Sequence, residues 1–344
     1  MDIMKYRTII LLTLISVSNI LLSNYKASES IGPDSLRNFI PTNKYSSMIS
    51  LKSQFKSRFK DYNNVMLVDL TNQKVLYEEN GYEMCEIASL TKMMSILLIL
   101  EEIKSGKLSY DDTLKASTKA SQIGGSQIFL REYELMKVSD MLKAVVIKSA
   151  NDATYAFAEK IGGDKKVDGF VEMMNKRSKE LGLRNTFFYY PHGLPPTWAE
   201  RKKEKIRGNR STCYDLILLA EEMLKYPKLL EYSSTWLDYI RDEPGKKKFM
   251  LRNTSRLIKD YPYFDGLKTG FYDKAGFNIV ATAKKDGIRL VAVVLGTRSM
   301  RGRDKFVNKL VTWGFEQVIN QVKDLEIDTS AEEAAFQKDM KVGR

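Results

Sequence analysis

An apolar run of eight residues, Met93–Leu100 (MMSILLIL), follows a serine and a lysine that stand three residues apart. The run is too short to span a membrane, and it is typical of a helix buried in a protein core. Ser89 and Lys92 share one face if they belong to the first turn of that helix. The serine would then be held rigidly, with its backbone N–H at the positive end of the helix dipole, where developing negative charge is stabilised.

The Ser-x-x-Lys spacing alone does not establish a catalytic pair, because it occurs by chance in many chains. The alternative is structural: Ser89 caps the helix and Lys92 is solvated. The choice between the two depends on partner motifs elsewhere in the chain.

Short apolar runs bounded by glycine or polar residues predict strands near both ends of the chain. The predicted strands are Val65–Leu70, Lys74–Tyr77, Leu267–Tyr272, Phe277–Lys284 and Arg289–Leu295. The predicted helices are Ser89 to near Gly106, Val138–Ile147, Asp152–Ile161, Lys166–Leu183, Tyr214–Lys225 and Phe306–Val322. This order indicates an α+β fold, in which an antiparallel sheet built from N- and C-terminal segments is flanked by helices and carries a helical subdomain.

The first 30 residues differ from the rest of the chain. Lys5 and Arg7 precede a mostly apolar segment, Ile9–Leu22, which is typical of a secretory signal. No clean small-x-small pair precedes the polar stretch Ser23–Ser30, so residues 1–30 are predicted to be a cleaved signal or a retained membrane anchor. In both cases we expect the domain outside the cytoplasm, in the periplasm or on the cell-wall side.

Charge and rare residues exclude several classes of function. The chain has 55 Lys and Arg against 43 Asp and Glu, a formal net charge of +12, but the basic residues are scattered and no nucleic-acid motif is present. An anionic membrane or cell wall fits this charge. A single histidine, His192, and the lack of Cys-x-x-Cys argue against a zinc site, and neither a metal nor a cofactor is expected. Cys85 and Cys213 leave one disulfide open, although two buried thiols are favoured.

Three motifs occur in order along the chain: Ser89-x-x-Lys92, Ser149-x-Asn151 and Lys268-Thr269-Gly270. Together they resemble the penicillin-binding protein and serine β-lactamase superfamily. Further stretches look like those of low-molecular-mass D-alanyl-D-alanine carboxypeptidases: Gly125–Leu130, Ser149–Ala153, Leu181–Leu183, His192–Leu194 and Asp265–Gly270. The resemblance covers roughly residues 35–322, and it implies a β-lactamase/transpeptidase-like fold.

The resemblance also implies an activity. It predicts a serine-type D-Ala-D-Ala carboxypeptidase that removes the terminal D-Ala from peptidoglycan pentapeptides through an acyl-enzyme on Ser89. β-Lactam antibiotics would be its covalent inhibitors. The residue chemistry agrees, because Lys92 can take the proton of Ser89 if burial and the nearby Lys268 lower its pKa. Ser149 would relay a proton to the leaving amine, and Asn151 would hold Lys92 and the substrate backbone; both could also cap the following helix.

The third motif predicts the facing wall of the cleft. Lys268 is expected at the cleft edge, charged, to bind substrate together with Thr269. Gly270 would let the substrate backbone come close. The oxyanion hole would combine the backbone N–H groups of Ser89 and Phe271.

Two residues are assigned with an alternative beside each role. The resemblance points to Arg303 as the docking group for the terminal carboxylate, which Arg can bind through two parallel hydrogen bonds. The alternative is a solvated arginine at a helix start. His192 is interpreted as a loop-packing residue and not as a base, because Lys92 already fills that role.

The chain also departs from the family pattern, and two rival functions remain. Many family members carry a β-rich domain after the catalytic one, which we do not expect here; residues 323–344 are predicted to be a mobile tail, so membrane attachment would depend on the N-terminal segment. Ser255 stands where relatives usually have asparagine. A β-lactamase would need an activating carboxylate, for which Glu180–Arg184 and Glu221–Lys225 are only partial matches. A non-catalytic penicillin-sensing or wall-binding protein is the rival from another class.

Overall fold

Two distant parts of the chain meet in one sheet in the computed structural model, which describes residues 62–195, 197, 208–242 and 248–320. The strands, in chain order, are β1 (Asn64–Asp69), β2 (Lys74–Glu79), β3 (Cys85–Glu86), β4 (Thr113–Lys115), β5 (Leu135–Lys137), β6 (Arg210–Ser211), β7 (Leu237–Ile240), β8 (Phe249–Arg252), β9 (Phe264–Tyr272), β10 (Gly276–Lys285) and β11 (Ile288–Thr297). The main sheet has the order β2-β1-β11-β10-β9, and all its neighbours are antiparallel.

Helices occupy the chain between the two sets of strands and close the domain. They are α1 (Lys92–Lys104), α2 (Thr118–Ser121), α3 (Val138–Lys143), α4 (Asn151–Ile161), α5 (Lys166–Glu180), α6 (Cys213–Met223), α7 (Pro227–Ser233), α8 (Leu257–Asp260) and α9 (300–320). The predicted α+β class with an antiparallel sheet from both ends of the chain is therefore confirmed.

The main sheet is buried on both faces. Every residue of β1 is buried, which explains the unbroken apolar run from Val65 to Val68, where a half-exposed strand would alternate. Val65 and Leu67 belong to a core cluster that includes Phe306 and Leu310 of α9. On the opposite face, α6 packs against β1 and β11, and α1 packs against α6. This arrangement buries α1, the helix that follows Ser89.

The sequence pattern missed the smallest strands. Three two-stranded sheets, β3–β6, β4–β5 and β7–β8, have strands of two to four residues, too short for a periodic signal. The stretch between residues 107 and 126, for which no element was predicted, contains β4 and α2. Helix α9 begins at residue 300, six residues before the predicted start, and its predicted end lies outside the described residues.

One predicted helix changes character before its end. The periodicity of Val138–Ile147 predicts a single helix, but α3 ends at Lys143 and a π-helical turn, Ala144–Lys148, replaces the last part. Ser149 then takes a left-handed conformation with φ of 65°. Wide turns of this kind are often found at functional sites, and here the turn delivers Ser149 to the cleft described below.

The predicted signal or anchor segment and the C-terminal tail lie outside the described residues. Within the described ranges, no helix combines the length and apolar character needed to cross a membrane.

Candidate active site

Ser89 lies in a tight turn that joins β3 to α1. The sequence predicts the first turn of an α-helix, whereas Ala88–Thr91 forms a 3₁₀ turn and α1 begins at Lys92. Ala88 has a φ of 48°, a left-handed conformation that is uncommon for alanine. Neither Ser89 nor Thr91 makes a side-chain capping bond, so the capping role considered for Ser89 is wrong. Strained backbone beside a reactive group is frequent at functional sites.

Two glycines allow other segments to contact this turn. A Cβ on Gly270 would lie 2.7 Å from the carbonyl oxygen of Ile87 and 3.0 Å from the backbone nitrogen of Ser89. A Cβ on Gly193, whose φ is 77°, would clash with the carbonyl oxygen of Ala88. Gly270 was predicted to make room for the substrate backbone; the structure shows that it also makes room for the chain's own Ser89 turn.

Lys92 is fully buried, with three oxygen atoms around its amine. Nζ lies 3.0 Å from Ser89 Oγ, 2.6 Å from Asn151 Oδ1 and 2.6 Å from the carbonyl oxygen of His192. The amide of Asn151 is oriented by its nitrogen, which donates to the carbonyl oxygen of Gly124 at 2.8 Å. The oxygen of Asn151 therefore faces Lys92.

This set of partners suits a neutral amine that acts as a base. The carbonyl oxygen of His192 and the amide oxygen of Asn151 can only accept hydrogen bonds, so they take the two hydrogens of a neutral amine. The lone pair is then left for the hydroxyl of Ser89. The predicted pairing of Ser89 and Lys92 is therefore present in the structure, and Lys92 is not the solvated residue of the alternative.

The pKa values of both motif lysines are lowered. Burial is the main cause that holds the pKa of Lys92 well below its usual range, and repulsion from Lys268 adds to it, whereas Asp152 acts in the opposite direction. Burial, followed by repulsion from Arg303, lowers the pKa of Lys268 to about 7. The strand that carries Lys268 lines the cleft as predicted, but Lys268 itself is not at an open edge, because it is only 3% exposed and its Nζ donates to the carbonyl oxygen of Thr269. A lowered pKa was predicted for Lys92 alone, but the pKa of Lys268 is lowered as well.

A buried loop supplies the carbonyl group that holds Lys92. His192 belongs to this loop, and its ring packs near Tyr155 and Tyr190 while Nδ1 accepts from the backbone N–H of Leu194. Burial and the nearby Lys92 lower the pKa of His192 to about 3, so the ring is neutral and packs as predicted. The role of its backbone carbonyl was not predicted. The sequence contained a signal for it in the stretch His192–Leu194, which was noted only as part of the resemblance.

Two polar side chains that sequence reasoning missed fix this loop. Asn209 donates to Thr91 Oγ1 and to the carbonyl oxygen of Tyr190, and the hydroxyl of Ser95 donates to the carbonyl oxygen of Pro191. Both side chains are buried. Ser95 interrupts the apolar run after Lys92, which was the one available hint that α1 needs a polar partner.

Ser149, at the end of the π-helical turn, and Asn151, the first residue of α4, approach the same point. The N-cap of α4 is Ala150 and no side chain caps the helix, so the capping role considered for both residues is wrong. Asn151 instead binds Lys92, as predicted. Ser149 is buried and lines the cleft, and its hydroxyl has no hydrogen-bond partner among the described residues. A buried hydroxyl without a partner is available to substrate, which fits the predicted relay.

Asp152, which follows Asn151 in the chain, is a further residue that the motifs did not single out, after Asn209 and Ser95. It accepts from the backbone N–H groups of Ile128 and Leu130, and so fixes the loop that contains Gly124 and Ser126. Gly124 receives the bond from Asn151, and Ser126 lines the cleft.

The cleft has a volume of about 600 Å³, and β9 forms one wall. Ser89, Ser149, Thr269, Gly270, Phe271 and Arg303 all line it. Phe271 is 49% exposed and its ring stacks on Phe277 with centroids 4.0 Å apart. The contact at Gly270 brings together the two segments that carry the backbone N–H groups of Ser89 and Phe271, the pair predicted as an oxyanion hole.

Arg303 is neither solvated nor unpaired. Its side chain is 2% exposed, Nε and Nη2 donate to Asp304 Oδ1 at 2.9 and 2.7 Å, and Nη1 donates to the carbonyl oxygen of Asn278 at 3.2 Å. The alternative of a solvated arginine is therefore wrong. Arg303 borders the cleft, and carboxylate docking remains a prediction for it.

The remaining candidates lie away from the reaction centre. Glu180 pairs with Arg177 at the end of α5, Glu221 is buried in α6, and neither lines the cleft. Cys85 and Cys213 are free thiols, of which only Cys213 is buried, so the expectation of two buried thiols is half right. Among the described residues, no three His, Cys, Asp or Glu side chains group closely enough to hold a metal ion.

The fold and the site together define a class. A lysine-paired serine ahead of a buried helix, with a Lys-Thr-Gly motif on the edge strand of an antiparallel sheet, fits the motif set of penicillin-binding proteins. A family model described as D-alanyl-D-alanine carboxypeptidase matches residues 57–299, and the chain belongs to this family.

Individual relatives agree with this membership. The chain is 41% identical to the D-alanyl-D-alanine carboxypeptidase DacF of Bacillus subtilis over 74% of its own length and 62% of the relative's. It is 31% identical to the Escherichia coli carboxypeptidase DacA, over 76% of this chain and 63% of that one. The chain thus spans less than two thirds of the length of these curated relatives.

Solved structures also match. The carboxypeptidase DacD from Francisella tularensis aligns with a TM-score of 0.66 at 26% identity, covering 74% of this chain and 70% of that one. Penicillin-binding protein D2 from Listeria monocytogenes, solved with ampicillin bound, aligns with a TM-score of 0.63 at 30% identity, covering 74% of this chain and 97% of that one.

Proposed function

We propose that this chain is a serine-type D-Ala-D-Ala carboxypeptidase that releases the terminal D-Ala from peptidoglycan stem peptides. The observation that carries the proposal is the set of contacts around Lys92, whose amine lies 3.0 Å from Ser89 Oγ and is buried against two oxygens that can only accept. Family membership supplies the substrate class.

The first half of the reaction forms an acyl-enzyme. Ser89 Oγ attacks the carbonyl carbon of the D-Ala–D-Ala bond, while its proton passes to the lone pair of Lys92. The backbone N–H groups of Ser89 and Phe271 stabilise the oxyanion. When the tetrahedral intermediate collapses, the C–N bond breaks and the amine leaves as D-Ala, protonated from Lys92 through the hydroxyl of Ser149.

The second half restores the enzyme. Water attacks the ester carbonyl, Lys92 takes the proton of the water, and Ser89 leaves as the free hydroxyl with that proton. A β-lactam would acylate Ser89 by the same first step, which is supported by the ampicillin bound to the Listeria relative. Its amine stays tethered after ring opening, so deacylation is expected to be slow.

Labelling with a fluorescent penicillin and an assay for D-Ala release from a D-Ala-D-Ala peptide test this proposal. The parent should be labelled and should release D-Ala, and Ser89→Ala should do neither. Ser105→Ala, at the exposed C-terminus of α1, is the matched control and should behave as the parent. Labelling without D-Ala release would favour a penicillin-sensing protein, and rapid loss of the label with penicillin hydrolysis would favour a β-lactamase.

We further propose an extracytoplasmic location, secreted or anchored through the segment Ile9–Leu22. The support is the basic start and apolar character of that segment. A C-terminal fusion to a reporter that is active only outside the cytoplasm should be active. Activity only of a cytoplasmic reporter at the same position would contradict the location.

A further inference from the structure

The cleft carries more positive charge than one terminal carboxylate requires. Four of the residues that line it are basic, Lys148, Arg252, Arg256 and Arg303, and none is acidic. Lys268, next to the cleft-lining Thr269 on β9, is buried. These cations repel one another and attract anions, so the cleft favours substrates that carry negative charge.

Three of these cations differ from Arg303. Arg303 is buried and paired with Asp304. Arg252 and Arg256 are exposed, Lys148 is half-buried, and none of the three has a carboxylate partner within the part of the chain that the structure describes. Lys148 Nζ lies over the ring of Phe249, 5.9 Å from its centroid, a contact that places the ammonium group without neutralising its charge.

The backbone that carries these cations is held in place. Asn253 is buried; its amide nitrogen donates to the carbonyl oxygens of Ser233 and Thr235, and its oxygen accepts from the N–H of Ser255. Asn253 and Ser255 are buried, whereas Arg252 and Arg256 are exposed, so the two arginines extend from a fixed segment. A fixed segment positions charge more effectively than a flexible loop does.

Two hydrogen bonds connect this segment to the catalytic elements. The backbone N–H of Thr254 donates to the carbonyl oxygen of Ile147, next to Lys148, and Thr269 Oγ1 donates to Thr254 Oγ1 at 2.7 Å. The segment thus lies between the turn that carries Ser149 and the strand β9. Arg303, by contrast, is bound to Asn278 of β10. The cleft therefore has two groups of cations held by different parts of the fold: Arg303 beside β10, and the cations on and beside the Arg252–Arg256 segment.

We propose that Lys148, Arg252 and Arg256 form a second anion subsite, which binds a carboxylate on a residue that precedes the D-Ala–D-Ala bond. This inference rests on the proposed function, in which the terminal carboxylate goes to the Arg303 side. The peptide on the other side of Ser89 must then run along the wall formed by the Arg252–Arg256 segment. The preferred substrates are stem peptides with an acidic side chain or a free carboxylate in that part.

Matched pairs of synthetic peptides test the subsite. In one pair, Glu or Gln directly precedes D-Ala–D-Ala; in the other, the Glu or Gln lies one residue further upstream, and every other residue is neutral. The parent should hydrolyse the Glu peptide of at least one pair with a kcat/KM about tenfold higher than its Gln counterpart. The gain should appear mainly in KM and should shrink as salt is raised.

Variants assign the preference to the proposed residues. Arg252→Gln and Arg256→Gln should each reduce the Glu-over-Gln ratio to within about threefold, and penicillin labelling of Ser89 will confirm that each variant is folded. Lys284→Gln removes an exposed cation on β10 that does not line the cleft, so it should keep the parental ratio.

Equal hydrolysis of Glu and Gln peptides by the parent in both pairs would overturn the subsite while leaving the proposed function intact. A preference that survives both arginine substitutions would also overturn it. If penicillin labels Ser89 but none of the four peptides is hydrolysed, the proposed function fails and the subsite with it.

Discussion

Strand β9 carries two charged side chains, three residues apart, with opposite surroundings. Asp265 is paired with Arg289, whose Nη1 lies 2.7 and 2.6 Å from its two carboxylate oxygens. Lys268 is more deeply buried, yet among the described residues it has no carboxylate partner, and it repels Lys92. One charge is compensated by a neighbour, and the other is left uncompensated.

On this one strand, the paired Asp265 contributes to stability, whereas the unpaired Lys268 contributes to the function of the site. A buried charge that is paired and hydrogen-bonded is tolerated, whereas an unpaired buried amine destabilises the fold unless it loses its proton. An amine that has lost its proton is what a general base requires at neutral pH. The Lys92–Lys268 pair thus follows the pattern in which catalytic sites retain groups that oppose stability.

Lys92→Met should have the largest effect on acylation. It removes the base but keeps similar volume in the core, so we expect penicillin acylation to slow by roughly 10³-fold, within the usual range for general bases. The thermal midpoint should rise, because an uncompensated amine is removed. Labelling time courses and thermal unfolding measure both effects. Acylation at the parental rate would show that the uncompensated lysine pair is not needed for catalysis.

The next effect contrasts the two charged residues of β9. Lys268→Met should raise the free energy of unfolding, whereas Asp265→Asn should lower it by about 2 kcal/mol because Arg289 loses its partner while part-buried. Urea unfolding of the two variants measures the contrast. Destabilisation of similar size in both would mean that the pairing at Asp265 does not distinguish the two sites.

The pH dependence of stability follows from the same lysine. The pKa of Lys268 is about 7 in the fold, against an ordinary value of 10.5. Between these values the unfolded chain binds more protons than the folded one, so the free energy of unfolding should rise with pH across this window. Lys268→Met should flatten the rise, and Asp265→Asn should keep it. A parent whose stability is level or falling from pH 7 to 10 would contradict the lowered pKa.

The smallest effect is expected at an exposed neighbour on the same strand. Phe271→Ala removes a ring that stacks on Phe277 but retains the backbone N–H assigned to the oxyanion hole. Acylation should change by less than about threefold, because packing at an exposed position contributes little to the transition state. A loss of a hundredfold in the labelling rate would place the ring itself in the reaction.

The sequence predicted what depends on local pattern. The sheet strands and the long helices follow from periodicity, and the pairing of Ser89 with Lys92 follows from three-residue spacing. The resemblance added Ser149, Asn151 and the β9 motif, which spacing alone could not bring together. Their meeting at one cleft is a tertiary property that the structure supplies.

The failures share one physical cause. Three features were not predicted: the π-helical turn before Ser149, the buried position of Lys268, and the hydrogen bond that Lys92 donates to the carbonyl oxygen of His192. All three depend on contacts between segments far apart in the chain. Lys268 was placed at the cleft edge because it opens a strand; burial by the elements around it decided otherwise. Single-sequence reasoning has no access to such contacts.

The rate of penicillin acylation against pH, for the parent, Lys92→Arg and Lys268→Arg, tests the central claim that Lys92 is a neutral base. The parental rate should rise with pH through an apparent pKa well below the roughly 10.4 of free lysine. Lys92→Arg should not be acylated, because guanidinium keeps its proton, whereas Lys268→Arg should retain part of the rate because it keeps the charge. A Lys92→Arg variant that is acylated nearly as fast as the parent would show that Lys92 is not the base.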